Sequence, residues 1–160
     1  MHTTFTVAFT EAESPADSSA ARQLFIEYSQ WLGFSLAYQN FDDELAMLPG
    51  RYARPLGRLL LARIDGALAG CAALRPLEPS VCEMKRLYVR PEFRSHGLGS
   101  ALAERLISEA RAIGYTWMRL DTIAHKMDGA IALYRTLGFR EIPPYYPGAP
   151  PDTLFFELSL

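Results

Sequence analysis

The chain has 160 residues, 49% hydrophobic and 21% charged, with a formal net charge of −2 and an isoelectric point near 5.9. That length suits one domain, residues 1–160, with a self-sufficient core. The charge balance excludes nucleic acid as a bulk electrostatic partner, no apolar run reaches membrane-span length, and the N-terminus lacks a signal-peptide pattern, so a cytoplasmic protein is expected.

Thr3 to Thr10 alternates Phe5, Val7 and Phe9 with threonines and alanine, as a half-buried strand does. Ser14-Pro15-Ala16-Asp17 then announces a helix: serine caps, proline suits the first turn, and aspartate completes an acidic capping box. Ala21, Leu24, Phe25, Tyr28 and Trp31 form its core-facing stripe, and Gly33 ends it. The end of that stripe, continued by Phe34 and Tyr38, is also placed to line an acceptor pocket. Asn40 or Asp42 caps a second short helix whose acids, Asp42, Asp43 and Glu44, read as a solvated cluster complementing the dipole. The same acids are suited to attract a cationic amine. Pro49-Gly50 and Pro55-Leu56-Gly57 bound a loop near the acceptor side.

Arg58–Ile64 and Ala67–Leu74 flank Asp65-Gly66, a two-residue hairpin signal, and Val81–Val89 adds a third strand. Cys71 and Cys82 sit in these strands as buried thiols, without metal spacing. After Arg90-Pro91 and a loop containing Gly97 and Gly99, Leu98, Ala101, Leu102, Leu106, Ala110 and Ile113 recur with helical spacing until Gly114. Trp117–Ile123 is a strand. Ala130, Leu133, Tyr134 and Leu137 form a helical stripe closed by Gly138. Phe139–Ile142 and Thr153–Leu158 are two last strands, joined by a proline- and tyrosine-rich segment. The string β-α-α-β-β-β-α-β-α-β-β is an α+β pattern with a mixed sheet.

Strand, two-glycine turn and helix N-terminus follow one another directly between Val81 and Ile113. Unpartnered N–H groups, the helix dipole and bare glycine backbone suit a phosphate there. The loop lacks the G-K-[ST] ending of a Walker A motif. It also lacks the first glycine of a dinucleotide fingerprint.

Arg94-Ser95-His96-Gly97-Leu98-Gly99 resembles the R/Q-x-x-G-x-G/A loop of the GNAT N-acyltransferase superfamily. Leu87-Tyr88-Val89-Arg90-Pro91 before it and Ala130 to Arg140 after it are similar to that family in order and separation. The resemblance implies the GNAT fold, a central, mostly antiparallel mixed sheet flanked by helices. It implies acetyl-CoA as co-substrate and no metal. The pyrophosphate would lie on Arg94, Ser95, His96, Gly97, Leu98, Gly99 and Ser100. Backbone groups of Leu87, Tyr88 and Val89, freed at a bulge, would take the pantetheine.

The same resemblance places Glu83 where some members carry a general base; apolar neighbours raise a carboxylate's pKa toward the value such a base needs. The alternative for Glu83 is a strand-end ion pair with Lys85 or Arg75. Tyr134 takes the position of the tyrosine facing the cofactor sulfur, where a phenol donates to a leaving thiolate; its spacing equally suits a core aromatic. Where many relatives carry an asparagine, this chain has Met127. His125 is a minor candidate base.

The implied activity is transfer of an acetyl group from acetyl-CoA to a primary amine, by direct attack in a ternary complex. A small-molecule acceptor is expected from the aromatic content of residues 28–41 and the Pro-Tyr-Tyr-Pro segment. A catalytically silent acyl-CoA-binding module and a protein lysine or N-terminal acetyltransferase are the alternatives, and a homodimer is left open.

Overall fold

A computed structural model describes residues 5–125 and 128–160. The elements run β1 (Val7–Glu11), α1 (Pro15–Leu32), α2 (Phe41–Met47), β2 (Arg58–Ile64), β3 (Ala67–Glu78), β4 (Val81–Val89), α3 (Leu98–Ile113), β5 (Trp117–Ile123), α4 (Asp128–Thr136), β6 (Arg140–Ile142) and β7 (Thr153–Ser159). The described strands form one sheet in the order β1-β2-β3-β4-β5-β7-β6. Every neighbouring pair is antiparallel except β4 and β5. That parallel pair is joined through α3, the crossover that parallel neighbours require.

Helices cover both faces, so β2 and the first part of β3 read as nearly continuous apolar runs rather than alternations. In β2, Leu60, Ala62 and Ile64 join Leu102, Leu106 and Ala110 of α3. Leu59 and Leu61 point the other way, into a cluster with Ala21, Leu24, Phe25 and Tyr28 of α1. The sheet thus separates an α3/α4 side from an α1/α2 side.

At the start of α1 the Ser14 hydroxyl accepts from the Asp17 N–H at 3.1 Å, while the Asp17 carboxylate accepts from the N–H of Glu13 at 3.4 Å. The capping box is therefore present, shifted by one residue on its acidic arm. Ser14→Ala should cost about 1 kcal/mol, seen as a melting temperature roughly 2–4 °C lower with unchanged acetyl-CoA affinity.

Three expectations need correcting. β1 begins at Val7, with Phe5 44% and Val7 43% exposed; it is an edge strand, and of its alternating residues only Phe9 packs on the core. Thr3 and Thr4 lie outside the described residues. β3 continues to Glu78 because Arg75 and Pro76 pair with Glu83 and Cys82; Pro76 is tolerated beside a register shift, where no ladder N–H is needed. At α2, Asn40 has φ +56 and no side-chain cap bond. Asp42 and Asp43 are exposed, but Glu44 is not part of a solvated cluster. Its side chain is 10% exposed and pairs with Arg86.

Candidate active site

The parallel pairing of β4 with β5 extends only from Val81–Glu83 to Trp117–Arg119; beyond it the strands part. On the other side of β4 the register shifts between the pairs Cys71↔Tyr88 and Ala73↔Lys85. Arg86 and Leu87 thus oppose the single residue Ala72, a bulge. Arg86 takes φ +60, an uncommon conformation for a residue with a side chain. It is fastened from two directions. Its guanidinium donates to both Glu44 oxygens, at 2.9 and 3.0 Å, and the Cys71 thiol donates to its carbonyl at 3.3 Å.

A cleft of about 440 Å³ opens beside the end of β4. Leu87, Tyr88 and Val89 line one wall; Arg94, Ser95, Gly97, Leu98 and Gly99 line its mouth, and Gly129, Ala130 and Leu133 of α4 the other wall. Gly97 precedes α3 with φ +74 and no side chain caps the helix, which leaves its first N–H groups for an anion. A Cβ on Gly97 would meet no protein atom within 4 Å; the positive φ is what favours glycine there. At Gly99 a Cβ would reach 4.0 Å from both Val89 and Leu133, inside the cleft. Arg94 bends back over it, Nε donating to the Val89 carbonyl at 3.0 Å and the guanidinium lying 5.4 Å from the Trp31 ring.

Leu87 also borders a second space, a polar cavity of about 20 Å³, room for one water. Tyr134, Tyr28, Gln39, Lys85 and Asp121 are among its lining residues. Tyr134 is 4% exposed, and burial, with Tyr28 and Asp121 adding to it, pushes its phenol pKa well above the ordinary value. It is held as a proton donor. Lys85 Nζ donates to Gln39 Oε1 at 2.9 Å and lies 3.5 Å from Asp121 Oδ1. Asp121 Oδ2 accepts from Gln39 Nε2 at 3.3 Å and from the Tyr146 hydroxyl. Gln39 also lines a groove of about 320 Å³ with Glu44, Met47, Arg51, Tyr52 and Arg75.

A glycine-flanked helix N-terminus, a splayed strand and a buried tyrosine beside the gap are the arrangement of an acyl-CoA transferase. The model of the acetyltransferase (GNAT) family matches residues 19–139. The chain belongs to the GNAT family. It is 38% identical over 156 residues to an uncharacterized N-acetyltransferase of Schizosaccharomyces pombe, covering 96% of this chain and 95% of the relative. An IAA acetyltransferase of Azospirillum brasilense is 36% identical over 151 residues, 92% of this chain and 95% of the relative. Among solved structures, an acetyltransferase from Salmonella typhimurium with its cofactor acetyl-CoA superposes with a TM-score of 0.71 and 25% identity, over 97% of this chain and 93% of that one. The chain is an acyl-CoA-dependent N-acetyltransferase.

In this acetyltransferase most of the residues expected to hold the cofactor converge on the cleft. His96 and Ser100 do not line it; the His96 ring stacks on Phe5 at 4.9 Å. Leu98 is buried in the core, so its backbone is what it offers. The bulge lies at Arg86–Leu87, one residue earlier than expected, because Tyr88 and Val89 regain pairing with Cys71 and Gly70. Trp31 lines the cleft with the glycine loop, whereas Tyr28 and Tyr38 border the polar cavity. Glu83 is 1% exposed, and each of its oxygens already accepts a hydrogen bond, from Arg75 Nε at 2.8 Å and the Tyr145 hydroxyl at 2.5 Å. His125 is at the surface against Asp152. Met127 lies outside the described residues.

Sequence reading missed Lys85, Asp121, Gln39 and the Arg86–Glu44 pair. The available signal was charge inside strands: Lys85 and Arg86 interrupt β4, and Arg119 and Asp121 alternate along β5. Alternating charges ordinarily mean a solvated face. Here α1, α2 and the Tyr145–Tyr146 segment cover that face. Among the described residues, no helix is long and apolar enough to cross a membrane.

Proposed function

We propose that this acetyltransferase moves the acetyl group of acetyl-CoA to the primary amine of a small molecule, by direct attack within a ternary complex. The observation that carries this is the position of Tyr134, which lines the polar cavity that meets the cleft at Leu87, while its helix neighbours Ala130 and Leu133 line the cleft itself. The pyrophosphate rests on the N-terminus of α3, with Arg94 turning from Val89 toward it. The pantetheine runs along Leu87–Val89, whose edge toward β5 is unpaired. The amine attacks the thioester carbon, the C–N bond forms, the C–S bond breaks, and the sulfur takes the Tyr134 proton. Glu83, the carboxylate suggested by sequence, accepts the amine proton only if Arg75 or Tyr145 releases one of its oxygens.

A small acceptor is favoured by the confined groove of about 320 Å³ beside Gln39, the lower end of the usual range for small-ligand sites. The test is release of free thiol from acetyl-CoA across a panel of primary amines, with mass spectrometry of the products. Acetylation of one or more amines is the expected result. Acetyl-CoA binding without turnover on any amine would instead support a silent binding module, and acetylation confined to polypeptides a protein acceptor.

Gly99→Val places methyl groups between Val89 and Leu133 in a helical position that valine tolerates, so the helix persists while the cleft narrows. Acetyl-CoA affinity by calorimetry should fall by at least about tenfold. A folded variant with unchanged affinity would remove this loop from the binding site.

A further inference from the structure

The reaction needs a group to take the amine proton, and the polar cavity beside Tyr134 holds a better-placed one than Glu83. Lys85 is 4% exposed and lines the cavity together with Tyr134 and Leu87. An ammonium has three donors, and among the described residues two directions are spent, on Gln39 at 2.9 Å and Asp121 at 3.5 Å. The remaining tetrahedral position is left for the cavity that Lys85 borders. Glu83, by contrast, does not line that space.

We propose that Lys85, acting through a single water in this cavity, is the proton acceptor for the incoming amine, with Asp121 and Gln39 as positioning residues. The inference rests on the acetyl-transfer reading above. Neutral Nζ accepts a proton from the water as the water takes one from the acceptor's ammonium. The freed nitrogen lone pair forms the C–N bond, the C–S bond breaks, and the sulfur takes the Tyr134 proton. The second nitrogen proton returns through the water to the Tyr134 oxygen. Lys85 then sheds its proton toward Asp121 and the half-buried Tyr146, leaving amide, thiol and one proton released to solvent.

The surroundings allow Lys85 to be neutral. Burial lowers its pKa below the ordinary lysine value and Arg86 and Arg75 act in the same sense, against the opposing charges of Asp121 and Glu83. Asp121 does not depend on the lysine charge alone, since Tyr146, Gln39 and Arg86 also stabilise its carboxylate. Tyr28, Tyr38 and Tyr134 complete the titratable groups lining the cavity. Burial and the Asp121 charge hold each phenol above its ordinary value, so none competes as an anion near neutral pH.

Two measurements test this. The first is an NMR titration of lysine Nζ in the full chain with acetyl-CoA alone, assigned with Lys85→Met. Lys85 should titrate below the other lysine, Lys126; ordinary titration overturns the proposal. The second is the pH profile of the single-turnover rate, using two acceptors of different amine pKa from the panel. A limb that rises with pH and stays in place for both acceptors belongs to the protein. It should disappear in Lys85→Met and Lys85→Arg, with rates about 10²-fold or more lower near neutral pH, and persist in Glu83→Gln. Arginine keeps the charge beside Asp121 but cannot deprotonate, so a merely structural lysine would be rescued by it. A wild-type limb in Lys85→Arg, or its loss in Glu83→Gln, overturns the assignment. The titration needs no acceptor, so a panel without turnover strikes at the acetyl-transfer reading, while an ordinary titration strikes at Lys85.

Discussion

Tyr134→Phe should leave the fold and acetyl-CoA affinity nearly unchanged while lowering the rate of acetyl transfer by about 10²-fold or more. The ring would remain against Phe139 and Phe156, whose centroids lie 5.7 and 6.4 Å away, so packing is retained and only the hydroxyl is deleted. Burial keeps the phenol protonated, and a thiolate leaving without that proton is a poorer leaving group. An interaction made chiefly in the transition state lowers kcat and kcat/KM together. The measurement belongs on the chemical step, in single-turnover experiments, because slow product release hides such a loss in kcat. An unchanged single-turnover rate would make Tyr134 a core aromatic only. A large drop in melting temperature would mean that the hydroxyl serves the fold.

Glu44→Ala should be the most damaging substitution outside the chemistry. It strands the guanidinium of Arg86, whose side chain is 2% exposed, at a backbone position with φ +60. Breaking a buried pair from one side costs about 3–5 kcal/mol, which for a domain of this size lowers the melting temperature by roughly 10 °C. The bulge beside the cofactor cleft loses its tie to α2, so acetyl-CoA affinity should weaken as well. The double variant Glu44→Ala/Arg86→Gly removes both charges and supplies a residue that accepts the positive φ. It should be more stable than the single variant. Equal melting temperatures would show that the pair contributes little and that the bulge is held by Cys71 and the strand pairing.

The order of strands and helices, the cap at Ser14, the hairpin at Asp65-Gly66 and the glycine loop that opens α3 were legible from residues alone. Each rests on local physical chemistry: side-chain period, proline and glycine backbone limits, and the unpaired N–H groups of a helix start. Family resemblance added Tyr134, which local spacing could not separate from a core aromatic. The tertiary structure alone decided which polar groups meet. Glu83 and Lys85 lie two apart on one strand, yet Glu83 is enclosed by Arg75 and Tyr145 while Lys85 reaches the cavity. That difference comes from segments distant in sequence, the Tyr145–Tyr146 connection and the turn at Ala37–Gln39, folding over the same face. Charges in β4 and β5 look solvated from their alternation because a strand carries no record of what covers it. Likewise, nothing near Arg86 announces a bulge; it follows from pairing with β3 and from a carboxylate 42 residues earlier in the chain.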